Sequence, residues 1–266
     1  MPYLEREHSR IYYEDAGSGP SVLLTHGFGA STAMWRTQVE ALSPRYRLIT
    51  WDMRGHGGTE CPPDQSRFSQ SETVADMAAL LEHLGIERAV IGGHSLGGFM
   101  SLAFHVTHPT RVQALYLQGC GPGYRSAVSR HAWNERAENR ARTLEAGGLA
   151  ALGGGAEVKA SRQRSAEDLA RAARGILSQV DSRVIDSLPS ILVPTLIVIG
   201  DGDTPYLAGA RYMAEHIPGA RQVVIDGAGH GVNVEKPDRV TALLREFLDS
   251  LGRVAPGVTG GAGRER

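Results

Sequence analysis

Cysteine is nearly absent: Cys61 and Cys120 are the only two in 266 residues. Two cysteines cannot make a disulfide framework, so the chain must be held by burial and hydrogen bonding, for which its length suffices. Both are read as inert thiols. Lysine is scarcer still relative to its usual share. Lys159 and Lys236 are the only lysines, and arginine carries nearly all the positive charge, which is read as coding bias. Neither sign of charge dominates: 28 basic residues face 29 acidic ones, for a net charge of −1. That balance excludes nucleic acid or an anionic membrane surface as the main partner. No apolar run approaches the length that crosses a bilayer. The first ten residues, MPYLEREHSR, are polar and lack a signal-peptide pattern. The expectation is a protein of a reducing cytoplasm, with its oligomeric state not legible.

What the chain does have is alternation. SVLLTHG (21–27), YRLITWD (46–52), RAVIGGH (88–94), VQALYLQG (112–119), TLIVIGD (195–201) and RQVVIDG (221–227) are near-continuous apolar runs. Such runs suit parallel strands covered on both faces. YLEREHSR and IYYEDAG, which come first, read as an antiparallel hairpin at the sheet edge. Helical periodicity fills 31–43, 71–84, 96–108, 207–217 and 237–251. In SETVADMAALLEHLG, Val74, Met77, Leu80, Leu81 and Leu84 fall on one helical face and Gly85 marks the stop. The predicted fold is therefore α/β: a mostly parallel, doubly wound sheet of about eight strands flanked by helices. Residues 122–189 break the pattern. They hold no convincing strand, but two amphipathic stretches joined across Gly153–Gly155, and are read as a helical cap inserted into a core made of 1–121 and 190–252. Residues 253–266 have the composition of disorder.

The stretch AVIGGHSLGGFM (89–100) places Ser95 between glycines, after an apolar run and before a helical segment. Small neighbours two positions to either side allow a strand to turn at once into a helix. The serine oxygen is then exposed over the helix N-terminus, whose amides can receive developing negative charge. Capping the helix is the plainer role for such a serine.

On this motif and four others the chain resembles the α/β-hydrolase fold family, over roughly residues 3–252. HGFGAS (26–31) resembles the family's His-Gly loop and DMRGHGGTE (52–60) the stretch after the next strand. GHSLGG is its nucleophile elbow, and IGDGDTPY (199–206) and GAGHGVNVEKPD (227–238) resemble the loops that bring the acid and the histidine. The chain order, serine then acid then histidine, is the family's own. The resemblance implies Ser95 as nucleophile, His230 as base, and backbone N–H groups of Phe28 and Leu96 as the oxyanion hole. The acid is Asp203 or Asp201; the family's spacing from the strand-ending Gly200 favours Asp203. His26, His56 and His94 correspond to structural or pocket-lining positions. Asp52 and Arg54 are read as a structural link, and Trp133 as either facing the pocket or packing the cap.

The activity implied is a serine hydrolase acting on a small-molecule carboxylic ester or lactone through an acyl-enzyme, with no metal or organic cofactor. Two alternatives share the scaffold: a carbon–carbon bond hydrolase of vinylogous diketones and a cofactor-free perhydrolase. The first commonly has asparagine before the serine and an aromatic after the histidine, where this chain has His94 and Gly231. An alternative of another class is a ligand-binding sensor that retains the triad.

Overall fold

The computed structural model describes residues 2–163 and 165–252; the tail read as disordered, 253–266, lies outside the described residues. Its centre is one eight-stranded sheet in the order β1-β2-β4-β3-β5-β6-β7-β8. The strands are β1 (Tyr3–Arg6), β2 (Ser9–Ala16), β3 (Ser21–Thr25), β4 (Arg47–Trp51), β5 (Ala89–His94), β6 (Val112–Gln118), β7 (Thr195–Gly200) and β8 (Arg221–Ile225). β1 and β2 form an antiparallel hairpin, and β2 joins β4 antiparallel. From β4 to β8 every pairing is parallel.

The continuous apolar runs follow from two-sided burial. Leu23, Ile49, Ile91, Leu115 and Ile197 point into one core layer; Val22, Leu24, Leu48, Val90 and Leu196, their alternate neighbours, point into the other. Helices α1 (Arg36–Leu42), α2 (Gln70–His83) and α3 (Leu96–Thr107) follow β3, β4 and β5. α2 begins at Ser69, whose hydroxyl accepts the Glu72 N–H at 3.1 Å, and buries Val74, Met77, Leu80 and Leu81 on the sheet.

Between β6 and β7 there is no strand among the described residues. That region holds α4 (Ala127–Gly147), α5 (Ala156–Lys159), α6 (Ala166–Ala172), which runs on into a wider turn over Ala173–Leu177, and α7 (Arg183–Ser187). α4 and α6 share a small core of their own, built from Ala141, Leu144, Ala166, Leu169 and Ala170, and Phe28 of the sheet edge packs against it. After β7 come α8 (Thr204–His216), β8, α9 (Val232–Glu235) and α10 (Pro237–Leu251). Among the described residues no helix is long and apolar enough to cross a membrane.

A candidate active site at the β5–α3 turn

β5 runs straight into α3, and Ser95 is the joint, with φ 54° and ψ −115°. A non-glycine residue at this φ is strained by about 1–3 kcal/mol and persists only where its surroundings fix it. The surroundings here are close. A Cβ on Gly93 would sit 2.4 Å from the Gly97 carbonyl carbon, and one on Gly97 would sit 2.3 Å from the Thr25 carbonyl oxygen. The turn therefore closes only with glycine at both positions. The Ser95 amide donates to the Gln118 carbonyl (2.8 Å), which ties the turn to the end of β6.

Two loops from the far side of the sheet converge on the serine. The His230 ring, in the loop after β8, lies with Nε2 2.9 Å from Ser95 Oγ and Nδ1 2.8 Å from Asp203 Oδ2. Nδ1 carries the proton, because a carboxylate can only accept; Nε2 is then the acceptor for the serine hydroxyl. Asp203, in the loop between β7 and α8, is buried, whereas Asp201 is exposed. Asp201 accepts from loop amides, that of Gly227 first and that of Ala228 at 3.2 Å, and these hold its carboxyl below the usual carboxylate range. It shapes the histidine loop without reaching the imidazole. Of the two candidate acids, the structure joins Asp203 to His230.

The His-Gly loop lies against the same turn. A Cβ on Gly27 would be 3.2 Å from Ser95 Cβ, so Phe28, the next residue, stands beside the serine. Leu96 opens α3, where the first amides have no intrahelical acceptor. The His26 ring accepts the Met53 N–H (3.0 Å) and donates to the Gly27 carbonyl (2.7 Å), which pins the loop from below. His94 donates through Nε2 to the His230 carbonyl (2.9 Å). Burial holds the imidazoles of His26 and His94 well below the usual histidine range, and pushes that of His56 down to about 4. These three are neutral fixtures. Burial likewise pushes the Cys120 thiol up to about 12 and raises that of Cys61, so neither is a thiolate at neutral pH.

Asp52 and Arg54 do not link to each other. Asp52 accepts the amides of Thr32 and Gly58, both at 2.7 Å, while Arg54 is buried against Asp76 at 2.6 and 2.9 Å. Their side chains leave the strand end in different directions, a divergence that adjacency in sequence does not reveal.

Ser95 and Leu96 open onto a cavity of about 240 Å³ between the sheet edge and the helices that lie between β6 and β7. Trp133 does both things proposed for it: it lines this cavity, and its indole N–H donates to the Leu177 carbonyl at 2.8 Å within the cap. Among the lining residues that sequence reasoning did not single out are Tyr206, Arg136 and Gln179. The Tyr206 ring stacks on the His230 ring, centroids 4.8 Å apart at 22°, and its phenol interacts with the Ser95 side chain. Its position three residues after Asp203, in the first turn of α8, was the one available signal. Among the described residues no cluster of His, Cys, Asp or Glu is suited to hold a metal ion.

A family model described as the alpha/beta hydrolase fold matches residues 20–146. A Bacillus subtilis protein that carries the name of a 2-succinyl-6-hydroxy-2,4-cyclohexadiene-1-carboxylate synthase is 30% identical over 264 residues, covering 91% of this chain and 96% of its own. Among solved structures, a thermophilic esterase from Thermogutta terrifontis superposes with TM-score 0.77 at 29% identity, covering 91% of this chain and 94% of its own. The enol-lactonase from Burkholderia xenovorans LB400 superposes equally well, TM-score 0.77, at 26% identity, covering 93% of this chain and all of its own.

Proposed function

The chain belongs to the alpha/beta hydrolase fold family, and from that premise we propose that it is a serine hydrolase of small carboxylic esters or lactones, working through an acyl-enzyme on Ser95. The observation that carries this reading is the continuous hydrogen-bonded line Ser95–His230–Asp203, ending at a strained, half-buried serine that lines a cavity. The esterase and the enol-lactonase among its structural neighbours perform, by name, the two reactions proposed.

In the proposed mechanism Ser95 Oγ attacks the substrate carbonyl carbon as its proton passes to His230 Nε2. Buried Asp203 holds the ring tautomer and stabilises the imidazolium. The carbonyl oxygen becomes an oxyanion, which accepts from the backbone N–H groups of Leu96 and Phe28. The C–O bond to the leaving group breaks, and His230 returns its proton to the departing alkoxide. Water enters, His230 takes one of its protons, and the resulting hydroxide attacks the acyl carbon. Ser95 leaves with the proton from His230, and the carboxylic acid is released. In a lactone the alcohol and acid remain one molecule. The cavity has room for a small molecule.

Steady-state hydrolysis of a panel of short-chain aryl esters and γ- and δ-lactones tests this. Turnover should be measurable on at least one of the two classes. Ser95→Ala and His230→Ala should each lower kcat by about 10³-fold or more, the usual scale for such residues. Saturable binding of these compounds with no turnover by the wild type would replace the hydrolase reading with that of a ligand sensor.

A further inference from the structure

Of all the residues lining the cavity over Ser95, Arg136 alone is charged. It stands on α4, one turn after Trp133, and no described residue makes an ion pair or hydrogen bond with it. This sets it apart from the ion-paired arginines of the same region. Arg174 bridges Glu138 and Glu145, Arg142 pairs with Glu138, Arg125 with Asp186, and Arg171 with Asp168. Along its own helix Arg136 has Ala132 and Trp133 behind it and Asn139 and Arg140 ahead, so no carboxylate stands at the spacings where helical neighbours meet. Arg140 is turned elsewhere, over the Phe28 ring at 5.4 Å. Two polar groups that share the lining are engaged within the protein. The Trp133 indole donates to Leu177, and Gln179 Oε1 accepts the Tyr124 amide at 3.0 Å.

We infer that Arg136 is the recognition site for an anionic group, a carboxylate, on the acid or alcohol part of the substrate. This rests on the reading of Ser95 as nucleophile and adds the substrate class: esters or lactones that bear a free carboxylate remote from the reacting carbonyl. A guanidinium presents planar, paired donors that match a carboxylate bidentately, and Arg136, exposed at the cavity rim, offers them beside the apolar walls of Phe99, Trp133 and Leu177. The division of labour follows the fold. The sheet edge presents the nucleophile, and the cap reads the charged end, so a substrate bridges the two.

The test compares 4-nitrophenyl hydrogen glutarate, which keeps a free carboxylate, with 4-nitrophenyl methyl glutarate, which is neutral, and reads the ratio of their kcat/KM values. The wild type should favour the anion by about tenfold, as expected for one partly exposed charge-assisted pair. Arg136→Gln should bring the ratio close to one, Arg136→Lys should retain part of the preference, and Arg136→Glu should invert it. Arg142→Gln removes the same charge from the same helix outside the cavity and should keep the wild-type ratio. A ratio that does not differ among wild type, Arg136→Gln and Arg142→Gln, while the neutral ester is turned over, overturns the inference and leaves the hydrolase reading standing. A second arm needs no catalysis: calorimetric binding of 4-phenylbutyrate and of 4-phenylbutyramide to Ser95→Ala, with and without Arg136→Gln. Tighter binding of the carboxylate, about tenfold and dependent on Arg136, supports the site even if no ester is hydrolysed. Equal binding of acid and amide counts against it.

Discussion

Asp201 and Asp203 are two residues apart, yet their surroundings assign them opposite duties. One is exposed and accepts the amides of the histidine loop; the other is buried with an oxygen 2.8 Å from His230 Nδ1. Replacing Asp203 by asparagine leaves the shape but allows the side-chain amide to donate, so the imidazole tautomer inverts and Nε2 no longer accepts from the serine. Asp203→Asn should therefore lower kcat by about 10³–10⁴-fold. Asp201→Asn keeps an oxygen acceptor and should cost less than about tenfold. Far-ultraviolet circular dichroism first establishes that both variants are folded, and steady-state kinetics then ranks them. The reverse ranking would assign the acid to Asp201. At the same scale Tyr206 and Arg136 show why part of the site was illegible. Tyr206 only ends the IGDGDTPY stretch and Arg136 belongs to no motif; one gains its place by stacking on His230 and the other by lining the cavity, and both conditions exist only after the chain has folded.

At the level of elements, six apolar runs became the six parallel strands, five of them shortened at the C-terminal end by one or two residues, while the run into Ser95 keeps its end at His94. His26, Gly27, Asp52, Gly119, Asp201, Asp226 and Gly227 fall outside the ladder, in the loops where the site is assembled. Periodicity cannot separate a strand from the polar turn that ends it, so the elements were legible and their functional edges less so. The glycine-flanked serine was the exception, because the steric demand of the turn is itself written in the residues around it. In the cap, α4 and α6 were legible as amphipathic stretches, whereas α5 and α7 span only four and five residues, too short to display a helical period. The cap also reaches the sheet edge through Gln163, whose Nε2 donates to the carbonyls of Gly29 (3.0 Å) and Ala30 (2.7 Å) and whose Oε1 accepts the Gly57 amide (2.9 Å). These bonds fix the turn that carries Phe28. Gln163→Ala removes three of them, each worth about 1 kcal/mol, and should lower kcat for a small activated ester by about tenfold through a looser oxyanion loop. An unchanged kcat, in a variant whose urea midpoint is also unchanged, would uncouple the cap from the chemistry.

The whole molecule keeps several imidazoles neutral in its interior, and that ties stability to pH. Unfolded, histidines protonate near 6.5. Folded, His56 does so only at about 4, and His26 and His94 are held well below the usual histidine range, because burial disfavours the cation. Below pH 6.5 the unfolded chain thus binds more protons than the fold, and stability falls as pH falls. The slope approaches about 1.4 kcal/mol per pH unit for each such histidine, and the share of His56 ends near pH 4. Urea unfolding at pH 7.5 and 5.0 should show a loss of several kcal/mol for the wild type, and about 2 kcal/mol less for His56→Gln; identical losses would mean that His56 is not kept neutral. The proposed function turns on one joint between β5 and α3. Intact-protein and peptide mass spectrometry after exposure to a fluorophosphonate tests that joint most directly. The account predicts one adduct per chain, located on Ser95 and absent from Ser95→Ala. A protein left unmodified, or modified elsewhere with Ser95 free, would contradict it.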